Sequence, residues 1–165
     1  MTSDHVGRDL AVGVTPFTEP NADLVVAAER AGGLGVLDLG REERATRREL
    51  ARVRPRWGGS FGVRIPAGCP LSPGDLADDV DTLLLDPVAS PGPWPAAGRR
   101  ILAEVTSLAE AREALRHGAH GLIARGAEAG GRIGELSTFI LLQQLLAELD
   151  VPIWAAGGMR HSWPN

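Results

Sequence analysis

Seven short apolar runs recur along the chain, and helical or Gly/Pro-rich segments separate them. The runs are apolar at nearly every position, which is typical of strands that are buried on both faces. Alternation of such strands with helices favours a parallel sheet with crossover helices. The predicted strands are residues 10–17, 34–39, 61–65, 80–85, 100–105, 120–124 and 151–155.

Four of the intervening segments have the pattern of helices. Asn21 is a predicted N-cap for a helix over residues 22–31, and residues 42–53 form a charged helix. Ser107 caps a helix that runs to residue 117, with Glu110 at the capping-box position three residues later. Ser137 or Thr138 can cap a strongly apolar helix over residues 137–149. The segment after the third strand is too rich in Pro and Gly for more than one helical turn.

Two architectures fit this alternation, an open doubly wound sheet and a (β/α)₈ barrel. The short third and fourth crossovers favour the TIM-type barrel. Such a barrel needs eight strands and usually about 250 residues, whereas this chain has 165 residues and seven predicted strands. We predict a polar lead at residues 1–9, a partial barrel at 10–158 and an irregular tail at 159–165.

Composition excludes several classes of function. The net charge is −4 and no basic stripe is present, so nucleic acid is not an expected partner. No apolar run reaches the ~20 residues of a membrane span, and the polar N-terminus does not resemble a signal peptide. A single cysteine excludes an internal disulfide, and we expect a cytoplasmic protein. No HExxH, CxxC or carboxylate cluster predicts a metal site.

The most informative connection is residues 127–135, between the sixth strand and the last helix. It contains Gly130, Gly131 and Gly134 among charged residues. Strand, glycine-rich loop and helix N-terminus together can present backbone N–H groups to an anion. The alternative is a plain turn. A second glycine pair, Gly157 and Gly158, ends the seventh strand, where barrels often bind phosphate.

Active sites of such barrels lie at the C-terminal ends of the strands. This rule places His117 and His120 on the opposite, structural end. Asp38 and Asp86 are interpreted as turn caps or acid–base groups, and Cys69 as an inert thiol. The polar residues and glycines at the active end are Thr15, Asp38, Arg64, Cys69, Asp86, Glu104, Arg125, Glu128, Arg132, Gly157 and Gly158.

Three stretches resemble one protein family. RGAEAGGRIGELSTFILLQQLL, the later VPIWAAGGM and the early TPFTEPNADLVVAAERAGGLGVLDLG are similar to the flavin-dependent nitronate monooxygenases, formerly called 2-nitropropane dioxygenases. The resemblance is closer to the enoyl-reductase-like barrels found with polyketide and polyunsaturated fatty acid synthases. It implies an FMN barrel. Relative to that barrel we expect the chain to be truncated at the C-terminus, without the eighth strand and the last helices.

The resemblance also implies roles for individual residues. The implied FMN-binding set is Thr15, Arg64, Arg125, Gly130, Gly131, Gly157 and Gly158. The implied catalytic residues are Glu128 and Arg132.

Three of these positions depart from the family. Arg125 stands where the family usually has Gln, and Arg64 stands where it has Asn. Arg132 follows EAGG where nitronate monooxygenases have a histidine base. Because arginine stays protonated, it is a poor base. Arg132 therefore fits an anionic or carbonyl-bearing substrate, such as an enoyl thioester, better than it fits a nitroalkane.

The leading hypothesis is hydride or electron transfer through FMN, with NADPH as the candidate electron donor. Its partners would be a small-molecule or acyl-thioester substrate and the other domains of a synthase. Three alternatives stay open: nitronate oxidation with molecular oxygen, a non-catalytic remnant or docking domain of a larger synthase, and a phosphate-ligand barrel without flavin.

Overall fold

The computed structural model describes residues 11–71, 73–86 and 98–157. The strands are β1 Val12–Val14, β2 Leu34–Asp38, β3 Phe61–Ile65, β4 Val80–Leu85, β5 Arg100–Val105, β6 Gly121–Arg125 and β7 Ile153–Ala156. The helices are α1 Ala22–Arg30, α2 Glu43–Trp57, α3 Leu108–Arg116 and α4 Thr138–Glu148. A single 3₁₀ turn, Pro73–Asp75, occupies the connection between β3 and β4, in agreement with the prediction of at most one helical turn.

The chain divides into two compact units, Met1–Ile101 and Leu102–Asn165. In the first unit β1 pairs with β2, β2 with β3 and β3 with β4, all in parallel. In the second unit β6 lies between β5 and β7, again in parallel. Within each unit the strand order follows the chain order, whereas a doubly wound sheet reverses it at a switch point. The predicted fold class, a TIM-type α/β fold with seven strands in the described residues, is confirmed.

Each unit has its own apolar core. The core of the first unit is formed by α1, α2 and the strands β2, β3 and β4, with Phe61 and Leu37 completely buried. The core of the second unit is formed by β5, β6, α3 and α4, and Leu141 and Leu145 are the buried residues of α4. None of the helices in the described part of the chain is long and apolar enough to cross a membrane.

Side-chain caps fix the start of the helices as predicted. The side chain of Asn21 accepts hydrogen bonds from the first-turn amides of α1. Ser137 does the same for α4, and Ser107 accepts from the Glu110 amide at 3.2 Å. The Glu110 carboxylate accepts from the Thr106 amide at 2.8 Å, so the capping box closes one residue earlier than expected.

Several predicted boundaries were wrong by more than one residue. β1 ends at Val14 because the Asp38 amide donates to the Thr15 hydroxyl instead of continuing the backbone ladder, and the backbone then turns through Phe17 and Thr18 with φ of 62° and 55°. α2 continues four residues beyond Val53, through a proline, and ends at Gly58 with φ of 74°. β7 begins two residues later than predicted.

Candidate functional site

The glycine-rich connection after β6 is a closed loop whose two ends are hydrogen-bonded together. The Ala127 amide donates to the Leu136 carbonyl at 2.8 Å, and the Gly134 amide donates to the Arg125 carbonyl at 3.3 Å. These bonds join the end of β6 to the residues before α4. The loop therefore has a defined conformation at the C-terminal end of the strand, where the sequence predicted a site.

Thr138, the first residue of α4, joins this loop to the ends of two strands. Its hydroxyl oxygen accepts from the Gly126 amide at 3.1 Å and lies 3.1 Å from the Ala156 carbonyl. A Cβ on Gly157 would lie 3.4 Å from the same hydroxyl, and the φ of Gly157 is 144°. Thr138 was predicted only as a possible helix cap. Its contacts with β6 and β7 depend on tertiary structure.

Glu128 is exposed and binds the start of α4. Its Oε2 accepts from the Thr138 amide at 2.8 Å and lies 3.0 Å from the Thr138 hydroxyl. The hydrogen bond from the Thr138 backbone holds the pKa of the Glu128 carboxyl below its usual range. The structure therefore favours an ionised carboxylate that fastens the loop to the helix, a placement that suits loop positioning better than proton donation.

We expect the stabilisation from Glu128 to depend on pH. Because its pKa is lowered in the folded chain, the stabilisation is present above the unfolded pKa and is lost as pH falls through the folded pKa. Glu128→Gln should therefore lower the urea unfolding midpoint at neutral pH, and the difference from wild type should shrink in acid. Glu135→Gln, at another exposed carboxylate of the same loop, is the control. A difference that stays constant with pH would contradict this role.

Arg132 connects the loop to β5 and to the beginning of α3. Its Nη1 lies 2.8 Å from Oε1 of Glu110 and 3.2 Å from the Thr106 hydroxyl, and its Nη2 donates to the Glu104 carbonyl at 3.0 Å. Both terminal nitrogens are thus bonded within the protein. The predicted catalytic arginine occupies a position from which it holds the loop in place.

Arg125, at the end of β6, forms a buried ion pair with Glu104 on β5. The pair joins Arg125 Nη1 to Glu104 Oε1, and the side chains are 15% and 4% exposed. The Arg125 Nε atom is buried and has no hydrogen-bond partner among the described residues. A Cβ on Gly131 would lie 3.1 Å from Arg125 Nη2, and Gly131 has φ of 76°. Arg125 therefore keeps donor capacity that the described part of the protein does not use.

Gly130 has open space where a side chain would be. A Cβ built on this residue meets no atom within 4 Å, and its φ lies outside the left-handed region. The residue next to it, Gly131, is required by its conformation, but Gly130 is not. Space beside Gly130 and an unused donor on Arg125 fit a ligand that carries hydrogen-bond acceptors. Gly158, also predicted to bind the cofactor, lies outside the described residues.

Two other predicted cofactor-binding residues, Thr15 and Arg64, belong to the first unit and are both joined to Asp38. The Thr15 hydroxyl accepts from the Asp38 amide at 2.7 Å, and Arg64 Nη1 donates to Asp38 Oδ2 at 2.7 Å. Asp38 Oδ1 accepts from the Gly40 amide at 2.8 Å, so the hypothesis that this acid caps a turn is confirmed. Asp38 thus links the ends of β1, β2 and β3, to Thr15 through its amide and to Arg64 through its carboxylate.

Cys69, in the connection after β3, has the properties of an inert thiol. Burial raises its pKa, and the nearby carboxylates of Asp38 and Asp75 add to the effect. A raised pKa leaves little thiolate at neutral pH. The described residues contain no group of three or more His, Cys, Asp or Glu side chains that could hold a metal ion.

Comparison with known proteins supports the predicted family resemblance. Residues 95–162, which include the loop and the strands on both sides of it, match the family model described as nitronate monooxygenase. The chain resembles the nitronate monooxygenase-like barrels. A nitronate monooxygenase from Paraburkholderia phytofirmans is 39% identical over 72 residues, covering 38% of this chain and 20% of that protein.

A longer match is to "(3aS,4S,5R,7aS)-5-hydroxy-7a-methyl-1-oxo-octahydro-1H-indene-4-carboxyl-CoA dehydrogenase" from Rhodococcus jostii. It is 30% identical over 152 residues, covering 82% of this chain and 40% of that enzyme. The Mycobacterium tuberculosis protein of the same name is 32% identical, and the chain covers 42% of it. The chain thus spans less than half the length of these curated relatives.

Two solved structures share the fold over most of this chain. FabK from Thermotoga maritima superposes with a TM-score of 0.70 and 27% identity, covering 87% of this chain and 49% of FabK. Nitroalkane oxidase from Streptomyces ansochromogenes gives a TM-score of 0.69 and 25% identity, covering 90% of this chain and 58% of that one. The similarity to nitronate monooxygenase-like barrels predicted from the EAGG, AAGG and AGGLG motifs is confirmed.

Proposed function

We propose that this nitronate monooxygenase-like chain is the FMN-binding part of an oxidoreductase that acts on acyl thioesters, in the manner of the synthase-associated enoyl reductases. The observation that carries the proposal is the loop after β6. It has open space at Gly130 and an unused buried donor on Arg125 beside Gly131, at the strand end where barrels of this kind react.

In this proposal the backbone of Gly130 and Gly131 approaches the flavin, Arg125 donates to it, and Gly157 and Gly158 receive its phosphate. FMN supplies hydride or electron transfer when it is bound. The cofactor-binding roles of Thr15 and Arg64, which belong to the first unit, stay predictions from the family resemblance. Glu128 and Arg132, which the family resemblance suggested as catalytic residues, act by holding the loop against α4, β5 and α3.

Two observations favour an acyl-thioester substrate. Two relatives that match over most of this chain are named as dehydrogenases of a carboxyl-CoA compound. Moreover, Arg132 stands where nitronate monooxygenases have a histidine base, and its bonds to Glu110 and to the Glu104 carbonyl make it a loop-holding residue, so the base that the nitronate alternative needs is absent at this position. Domains of a polyketide or fatty acid synthase are the proposed partners. NADPH is the proposed electron donor, and anaerobic reduction of the bound flavin by NADPH or NADH tests that choice.

Reconstitution tests the cofactor. We expect FMN to bind more tightly than FAD or NADH, because the sequence contains a phosphate-type glycine pair but no dinucleotide fingerprint in its required context. Each ligand is titrated into the purified chain, with quenching of flavin fluorescence as the measurement for FMN and FAD and a competition titration for NADH. Tighter binding of FAD or NADH would contradict the choice of FMN, and no binding of any of them would favour a non-catalytic domain.

Gly130→Val tests whether the open space at the loop is used by the flavin. The branched side chain would fill that space, so we expect FMN affinity to fall tenfold or more, about 1.4 kcal/mol. The melting temperature of the apo chain should hardly change, because no atom lies within 4 Å of the added Cβ. If Gly130→Val lowered the stability of the apo chain by as much as it lowered the free energy of FMN binding, Gly130 would be a simple turn residue.

Oxidation of nitronates is the second candidate function. It is favoured by the match to the nitronate monooxygenase family model and by the similarity to a nitroalkane oxidase. Oxygen consumption by the FMN-loaded chain with an alkyl nitronate distinguishes the two candidates. Oxygen consumption with the nitronate that is faster than anaerobic NADPH oxidation with an enoyl thioester as acceptor would favour nitronate oxidation.

A further inference from the structure

The charges around the loop after β6 do not favour a phosphate. The segment from Arg125 to Leu136 and the side chains it contacts carry four carboxylates and two guanidinium groups. These are Glu104, Glu110, Glu128 and Glu135 with Arg125 and Arg132. Both guanidinium groups form ion pairs with carboxylates of the same unit. A phosphate here would meet an excess of negative charge.

Although the charges of the Arg125–Glu104 pair cancel, the Arg125 guanidinium still presents N–H donors in one direction. Glu104 occupies Nη1, and the remaining edge of the guanidinium consists of Nε and Nη2, whose N–H groups point the same way. Nε is buried without a partner among the described residues, and Nη2 lies 3.1 Å from the place that a Cβ on Gly131 would take. A buried donor that is not bonded costs free energy, so a ligand with matching acceptors gains affinity by bonding to it.

We propose that Glu104 is a positioning residue, and that the pair it forms with Arg125 selects an uncharged planar group with acceptor atoms, such as the ring of the flavin, instead of a phosphate. This inference rests on the proposed function for the identity of the ligand. It assigns the phosphate to another part of the site and the ring to the end of β6. It also assigns a role to Glu104, which the sequence analysis noted only for its place at a strand end.

The test compares FMN with riboflavin, which has the same ring but no phosphate. Because either single substitution leaves a buried charge unpaired, the variant is Glu104→Leu/Arg125→Met. The matched control is Arg112→Met/Glu148→Leu, which removes an exposed pair between α3 and α4. Dissociation constants are measured by flavin fluorescence for the wild type and both variants, and circular dichroism checks the fold.

We expect the Glu104→Leu/Arg125→Met variant to weaken FMN and riboflavin by the same factor, about tenfold or more, while the control changes neither. A larger loss for FMN than for riboflavin would mean that Arg125 meets the phosphate, and it would overturn the inference. Unchanged affinity for both flavins in the folded variant would also overturn it.

A wild type that binds neither flavin would contradict the proposed function, and inorganic phosphate then tests the selectivity. The Nε–H resonance of Arg125 is followed by NMR during a phosphate titration. The inference is supported if phosphate leaves the Arg125 Nε–H chemical shift unchanged in the wild type but changes it in Glu104→Gln, because Glu104 then prevents phosphate from binding at Arg125. A shift in the wild type, or no shift in either protein, would overturn the inference.

Discussion

Replacing Gly126 with alanine is expected to destabilise the second unit by about 3 kcal/mol, the upper end of the usual range for an overpacked site. A Cβ at this position would lie 2.0 Å from the Thr138 amide nitrogen and 2.5 Å from the Thr138 Cα. Both are backbone atoms at the start of α4, so no flexible side chain can move aside. The hydrogen bond from the Gly126 amide to the Thr138 hydroxyl would be lost as well.

Urea unfolding followed by circular dichroism measures this effect, and Gly130→Ala is the matched control. The control adds the same methyl group to the same loop, but it meets no atom within 4 Å. We therefore expect Gly130→Ala to change the free energy of unfolding by less than about 0.5 kcal/mol, as is usual for surface substitutions. Equal effects of the two substitutions would contradict the close packing of β6 against α4.

Asp38→Leu is expected to destabilise the first unit by about 3–5 kcal/mol, the usual cost of removing one partner of a buried ion pair. The Asp38 side chain is 1% exposed, and it accepts from Arg64 at 2.7 Å and from the Gly40 amide at 2.8 Å. Its removal would leave the Arg64 guanidinium, 19% exposed, without this carboxylate. The turn after β2 would also lose its cap.

A second substitution separates the charge effect from the loss of the cap. Asp38→Leu/Arg64→Met removes both charges, so we expect it to recover part of the lost stability, while the missing Gly40 hydrogen bond keeps it below wild type. The free energies of unfolding of both variants are measured in urea. A double variant that is less stable than Asp38→Leu alone would show that Arg64 stabilises the fold through its other contacts.

Local patterns determined most of the fold. The bounds of β3, β4 and β5 are those predicted, because each is a continuous apolar run between turn residues. The caps at Asn21, Ser107 and Ser137 were also correct, since a cap bonds an amide two or three residues away. The glycine motifs, read as a family resemblance, indicated the nitronate monooxygenase-like barrel before any contact was known.

The roles of charged residues depended on distant contacts. Arg132 and Glu128 were selected from one motif, but their partners Glu110 and Thr138 lie 22 and 10 residues away in the chain. Thr15 was selected for its place at a strand end, and its hydroxyl accepts from an amide 23 residues later. A sequence pattern shows which residues reach the ends of the strands. It cannot show which of their donors are already satisfied.

Whether the N–H donors of an arginine are already bonded within the protein separates candidate ligand-binding arginines from those that hold the loop. The sequence alone determined that Arg125 follows a strand and that Arg132 lies in the glycine-rich loop after it. Only the tertiary structure showed that both terminal nitrogens of Arg132 are bonded within the protein, while Arg125 keeps a buried Nε without a partner among the described residues. The physical reason is that hydrogen-bond capacity is used up by neighbours in space, and parallel strands bring together residues that are far apart in the chain.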